Sequence, residues 1–218
     1  MNRLISEFLS TFILIFAGTG AIIINDTSGG AITHAGIALT FGLVVFAMIQ
    51  TFGHVSGAHM NAAVSIAAVA WGKLEGRSLL GYIVAQLSGA FLASIVLKSL
   101  FPNHPTLGGT HPAGTEYQSL VLEFILTFIL MISVIGCVNA PGAANLIGPA
   151  IGAVIGLEAM FAGPICGASM NPVRSIAPAV VSGDMTSLWI YIVGPISGAL
   201  FAVIVAPFVF THNPKTHS

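Results

Sequence analysis

The chain has 218 residues, 6 of them Lys or Arg and 7 Asp or Glu; 6% are charged and 56% are hydrophobic, and the mean hydropathy is +0.97. A soluble domain carries roughly 25% charged residues, so this composition excludes a soluble enzyme, a nucleic-acid binder and a disordered chain, and leaves a polytopic membrane protein. The net charge of −1 points to no charged partner, and the two cysteines, Cys137 and Cys166, give neither a disulfide framework nor a metal pattern.

A spanning helix needs about 20 mostly apolar residues, and the sparse charges serve as rulers. No charge falls between Glu7 and Asp26, which places a first span at about 5–25, and Asp26–Gly30 reads as a turn. The first segment lacks a convincing small-residue cleavage site and does not read as a cleaved signal peptide. No Asp, Glu, Lys or Arg occurs from Thr27 to Gly72, too long for one span. It divides into a span at about 33–53, a polar hairpin at His54–Asn61 and a short apolar helix to about 70. Charged Lys73–Arg77 closes the segment, and a third span fits 79–99. Residues 101–116 form a Pro-, Gly- and His-rich loop in which His104 and His111 are expected to be exposed. A fourth span fits 118–138, a loop 139–145, and a fifth span 146–163; then come a second polar hairpin at 164–171, a second short helix to about 182, and a sixth span at 186–210. The tail 211–218 reads as disordered. Arg3, Lys73, Arg77 and Lys215 fall on one side of this arrangement and Lys98 on the other. The excess of Lys and Arg marks the cytoplasmic side, so both termini are expected inside a plasma or inner membrane.

The chain also resembles itself. Glu7-Phe8-Leu9-Ser10-Thr11-Phe12-Ile13-Leu14 matches Glu123-Phe124-Ile125-Leu126-Thr127-Phe128-Ile129-Leu130, and Gly57-Ala58-His59-Met60-Asn61 matches Gly167-Ala168-Ser169-Met170-Asn171. The repeats are expected at 1–105 and 106–210. Each holds three spans, an odd number, so the second starts from the opposite face. The fold class is therefore an all-α membrane protein of six transmembrane helices and two re-entrant half-helices, an inverted 3+3 repeat, and sites in such folds lie near the midplane.

Irregular backbone at membrane depth must be buried in protein or line a wet cavity, so the two hairpins should dip inward. Each short helix then begins near the bilayer centre at Asn61 or Asn171. A cap asparagine accepts backbone N–H groups through its oxygen, and both its amide N–H groups are expected to stay free for a passing solute. Two positive helix ends facing each other repel cations, while Gly57, Ala58 and His59, with Gly167, Ala168 and Ser169, offer backbone carbonyls as acceptors. The outcome is a polar track for uncharged molecules.

On these residues the chain resembles the aquaporin (major intrinsic protein) superfamily from Glu7 to Pro207. The carriers are Ser56-Gly57-Ala58-His59-Met60-Asn61-Ala62-Ala63-Val64-Ser65 and Gly167-Ala168-Ser169-Met170-Asn171-Pro172-Val173-Arg174-Ser175. The family pattern is Asn-Pro-Ala in both hairpins; this chain has Asn61-Ala62-Ala63 and Asn171-Pro172-Val173. Proline at the first helical position is favourable but not required, so Ala62 is compatible with the half-helix. Ala162–Pro172 is similar to the nodulin-26-like branch and its bacterial relatives. The resemblance implies a homotetramer with one pore per subunit.

It also implies a four-residue selectivity filter on the outer side. Carried over by spacing, its members are Arg174, three after Asn171; Ala168, three before it; Ala159, twelve before it; and Phe41, twenty before Asn61. Water-selective relatives are similar in having histidine where this chain has Ala159. Two alanine walls imply an opening wider than one water, fitting glycerol, boric acid or arsenous acid along with water, and excluding ions and protons.

Glu7 and Glu123 sit at matched places, where an acid inside a span is usually paired or functional; support of the re-entrant loops is expected, with proton relay as the alternative. His59 reads equally as loop support or solute contact, and Cys166 equally as pore-accessible or buried. Glu158 has no partner in the repeat and reads equally as pore-facing or loop-supporting. Gly152/Gly156 and Gly194/Gly198 suit close helix packing. No spacing suggests a metal site or a nucleophile–base pair, so no cofactor and no enzyme activity is expected. A passive channel for small neutral solutes leads, ahead of a water-selective pore and of a secondary transporter, which would need more titratable groups at the midplane.

Overall fold

A computed structural model of the chain describes residues 1–142 and 144–210. The expected disorder of 211–218 falls outside the described residues, as does Lys215. The described part contains eight α-helices: α1 Asn2–Thr27, α2 Thr33–Ser56, α3 Ala62–Ala70, α4 Gly76–Leu100, α5 Glu116–Asn139, α6 Ile147–Cys166, α7 Pro172–Ser182 and α8 Ile190–Val209. Six of them, all but α3 and α7, are long and apolar enough to cross a membrane. The protein is therefore a multi-pass membrane protein, and an even number of spans returns Val209 to the face on which Asn2 starts.

The packing repeats between halves. Helix α1 lies along α4 and α5 along α8, while α2 lies along α6 across the centre. Close approach at matched places sets this. A Cβ on Gly89 would collide with the Phe8 carbonyl oxygen of α1, and one on Gly198 with the Phe124 carbonyl oxygen of α5. At the α2–α6 crossing, a Cβ on Gly42 would lie 2.7 Å from the Gly152 oxygen. Helices in lipid gain little from the hydrophobic effect on meeting each other, so small residues that let backbones touch carry the association.

Two boundaries differ from the sequence expectation, for one reason. The first hairpin was expected from His54 and the second from Pro164, yet α2 runs on to Ser56 and α6 to Cys166. Each helix stops at a left-handed glycine, Gly57 with φ 90° and Gly167 with φ 83°. Polar residues and a proline are tolerated in those last turns because their unmet groups find partners. Pro164 lacks the N–H that would serve the Met160 carbonyl four residues back; instead that oxygen lies 2.7 Å from His34 Nε2 on α2. The sixth span begins at Ile190, not 186, because Asp184 Oδ1 accepts the Thr186 N–H at 3.1 Å and folds the preceding segment into turns.

Candidate functional site

Between the long helices the chain re-enters twice with the same backbone. Ala58 and Met60 have φ of 47° and 51°, and Ala168 and Met170 have φ of 43° and 54°. Left-handed backbone costs about 1–2 kcal/mol at a residue with a Cβ and persists only where its surroundings enforce it. The enforcement is a buried carboxylate in each half. Glu7 Oε1 accepts the His59 N–H at 2.9 Å and the Ser56 hydroxyl at 2.7 Å, while Oε2 accepts the Met60 N–H at 2.9 Å and Gln86 Nε2 at 2.8 Å. Glu123 accepts the Ser169 N–H at 2.7 Å and the Met170 N–H at 2.8 Å. Both acids are fully buried, and charge-assisted bonds to backbone N–H groups are the strong kind.

Each loop hands over to a half-helix capped by asparagine. Asn61 Oδ1 accepts from Ala63 N at 2.8 Å and Val64 N at 3.4 Å, so α3 starts at Ala62 without a proline. Asn171 Oδ1 accepts from Val173 N at 3.0 Å, with Pro172 at the first helical position of α7. The amide groups depart from expectation. They are not wholly free: Asn61 Nδ2 donates to the Met170 oxygen and Asn171 Nδ2 to the Met60 oxygen, each at 2.7 Å. One N–H of each amide thus ties the two halves together, and one per amide is not used by that bond. The reason is geometric, because end-to-end half-helices put each amide against the other half's last loop carbonyl.

A cavity of about 400 Å³ is lined by Asn61, Asn171, His59, Ala58, Ala168 and Ser169 at its middle, by Arg3 and Lys73 towards one face, and by Phe41, Ala159 and Arg174 towards the other. Ala62, Ala63 and Val173 pack in the core behind the asparagines. The Arg174 guanidinium carbon stands 5.1 Å from the Phe41 ring centroid, within cation–π range. Arg174 Nη1 donates to the Gly108 carbonyl at 2.8 Å, leaving other N–H groups of its fork unused by that bond. Ala159 and Ala168 are buried beside it with 8% and 7% of their surface exposed, each offering a methyl group.

Hydroxyls and an imidazole brace the loops. His59 Nδ1 lies 3.0 Å from Ser65 Oγ, and at the matched place Ser169 Oγ lies 2.6 Å from Ser175 Oγ, which Thr110 Oγ1 approaches at 2.8 Å. Gln86, Ser65 and Ser175 were not singled out from sequence, although both serines stand four residues after the paired asparagines. Gln86 left no signal beyond being an amide in an apolar span. Cys166 is buried, its thiol directed to the Ala162 carbonyl at 3.6 Å. Glu158 is buried away from the cavity lining, and neither carboxyl oxygen has a hydrogen-bond partner among the described residues. His104 was expected to be exposed; it is 7% exposed, because its ring is held between the end of α1 and its own loop.

A six-span bundle with two dipole-ended half-helices meeting at a cavity, paired amide donors and the buried Arg174 defines a membrane channel for small neutral solutes rather than for ions. Residues 1–206 match the major intrinsic protein family. The chain belongs to that family. It is 44% identical to Aquaporin NIP1-1 of Zea mays over 98% of this chain and 77% of that protein, and 40% identical to Nodulin-26 of Glycine max over 100% of this chain and 82% of that protein. Among solved structures, the aquaglyceroporin from Plasmodium falciparum is similar at a TM-score of 0.88 and 25% identity, covering 98% of this chain and 97% of that one.

Proposed function

We propose that the channel passes glycerol and small metalloid hydroxides such as boric and arsenous acid, together with water, and rejects ions and protons. The observation that carries this is the pair of buried alanines, Ala159 and Ala168, against Phe41 and Arg174. Two methyl walls leave width for a carbon chain, Phe41 offers an apolar side to that chain, and Arg174 donates to hydroxyl oxygens. Farther in, Asn61 and Asn171 each hold one N–H for the same oxygens. A cation meets two positive half-helix ends and a buried guanidinium with no hydration to replace what it leaves behind. In this reading Phe41, Ala159, Ala168 and Arg174 are the filter; Asn61, Ala62, Ala63, Asn171, Pro172 and Val173 form the central constriction; and Glu7, Glu123 and His59 hold the loops.

The chain works as two repeats, 1–105 and 106–210, with both termini cytoplasmic in a plasma or inner membrane, as the placement of Arg3, Lys73 and Arg77 supports. It assembles as a homotetramer in keeping with its family, and it has no enzyme activity. Stopped-flow light scattering on proteoliposomes tests the solute reading. Glycerol and boric acid should enter well above the empty-vesicle rate while vesicle conductance stays at background. Water flux alone would refute it in favour of a water-selective pore.

A further inference from the structure

The filter arginine is held by a loop, and the loop is held by something else. The Gly108 carbonyl that receives Arg174 Nη1 lies in a turn where Leu107 and Gly108 have φ of 51° and 71°. Leu107 is a γ-branched residue in left-handed backbone, which does not persist unaided. A Cβ at position 108 would lie 2.8 Å from the Thr19 carbonyl, so the turn packs directly against α1. Two contacts fix Leu107. Its side chain is fully buried against Ile23 of α1 and Leu97 of α4, with Val181 of α7 packed alongside. Its N–H donates to His104 Nδ1 at 3.0 Å.

That bond fixes the tautomer of His104. Nδ1 accepts, so it is bare, and Nε2 carries the proton and faces Asp26 Oδ2 at 3.3 Å. The imidazole is therefore a wedge between the end of α1 and the turn that carries the filter's carbonyl. Lys98, at the end of α4, donates to the Pro102 carbonyl at 2.8 Å on the near side of the same loop. Farther along, His111 Nε2 lies 3.8 Å from Asp184 Oδ2.

We propose that His104 is a positioning residue of the filter: its bare Nδ1 holds the Leu107–Gly108 turn, and the Gly108 carbonyl holds Arg174 against Phe41. His104 touches no solute. A consequence follows from its chemistry. A protonated imidazole donates from both nitrogens, so Nδ1–H would confront the Leu107 N–H donor to donor, the turn would lose its anchor, and Arg174 would lose a fixed acceptor. Acid on the outer face would then change which solutes pass.

The inference rests on the filter reading above, and two conservative variants separate it from mere loop stability. In His104→Asn the side-chain oxygen stands about where Nδ1 stood and still accepts from Leu107, but nothing can be protonated. In His104→Gln the amide nitrogen reaches towards Asp26 but the acceptor is lost. Glycerol and water permeabilities are measured in proteoliposomes at external pH of about 7.5 and about 5. For the wild type, the glycerol-to-water ratio should change on the order of three- to tenfold on acidification, the size that the loss of one hydrogen bond supports. His104→Asn should keep the neutral-pH ratio and lose the pH dependence although Asp26, Lys98, His111 and Asp184 remain in place. His104→Gln should show at neutral pH the ratio that the wild type shows in acid. A flat wild-type profile overturns the proposal without any variant having to fold, and so does a pH dependence that survives in His104→Asn. If Ala159→His alters the ratio while the His104 variants do not, the filter reading stands and this inference alone fails; if Ala159→His also has no effect, the filter reading fails first.

Discussion

Asn61 and Asn171 divide their amides between structure and, in the proposed channel, the solute. The oxygen of each caps its own half-helix, and one N–H of each bonds the opposite loop. Substituting either by aspartate keeps the cap but replaces that donor with an acceptor facing a carbonyl, so it should both loosen the joint and admit cations, read as a rise in vesicle conductance. Glu7 acts at the same scale. In Glu7→Gln one oxygen becomes a donor facing backbone or amide N–H groups, and each buried donor left unmet costs about 1–3 kcal/mol. Its melting temperature in detergent should fall and glycerol flux should drop; an unchanged melting temperature would mean that the carboxylate does not hold the loop. Glu158 is the opposite case. Neither of its oxygens has a hydrogen-bond partner among the described residues, and burying an unpaired polar group costs about 1–3 kcal/mol, so an apolar side chain of similar size should be neutral to stabilising. Glu158→Met should melt no lower than the wild type and pass glycerol as before; a fall in melting temperature would reveal a partner. The paired acids and asparagines were legible in the sequence because polar residues repeated inside apolar spans stand out. The cross-bonded amides were not, because the contact joins residues about a hundred positions apart and depends on how two half-helices meet.

At the scale of an element, α6 shows how a helix carries a proline through its last turn. Pro164 frees the Met160 carbonyl, and His34 of α2 takes it. The bond is specific to the proline, so the two residues should couple. His34→Ala should cost about 1 kcal/mol in the wild type and clearly less in a Pro164→Ala background, where the restored N–H at 164 serves Met160. Additive melting shifts across that double-mutant cycle would contradict the assignment. Half-helix α3 offers the converse test. Ala62 occupies the first helical position, where proline needs no N–H and its fixed φ suits the helix, so Ala62→Pro should leave stability unchanged or raise it by about 0.4–1 kcal/mol, seen as a melting temperature no lower than the wild type's. Helix existence and order could be read from spacing between charges. The ends of α2 and α6 could not, because residues that look like breakers are satisfied by side chains from another helix. The burial of His104 was hidden for a similar reason: a Pro- and Gly-rich loop reads as exposed, and only the fold shows it pressed into the outer face against α1.

At the scale of the whole molecule, the two halves meet through backbone contacts at Gly42 and Gly152 and through the two amide bonds at the centre. Charge is arranged to match: the buried cation, the half-helix ends and the remaining amide N–H groups all favour oxygen atoms of uncharged molecules. The overall architecture was readable because an inverted repeat in so apolar a chain admits few arrangements. The proposed width of the pore rests on two small residues, Ala159 and Ala168. The central claim is that Ala159 leaves room for a solute larger than water. The most direct test is the glycerol-to-water permeability ratio of the wild type and Ala159→His in matched proteoliposomes. The account predicts a high ratio in the wild type that collapses in the variant while water flux persists. Equal ratios in the two proteins, or a wild type that passes water alone, would contradict it.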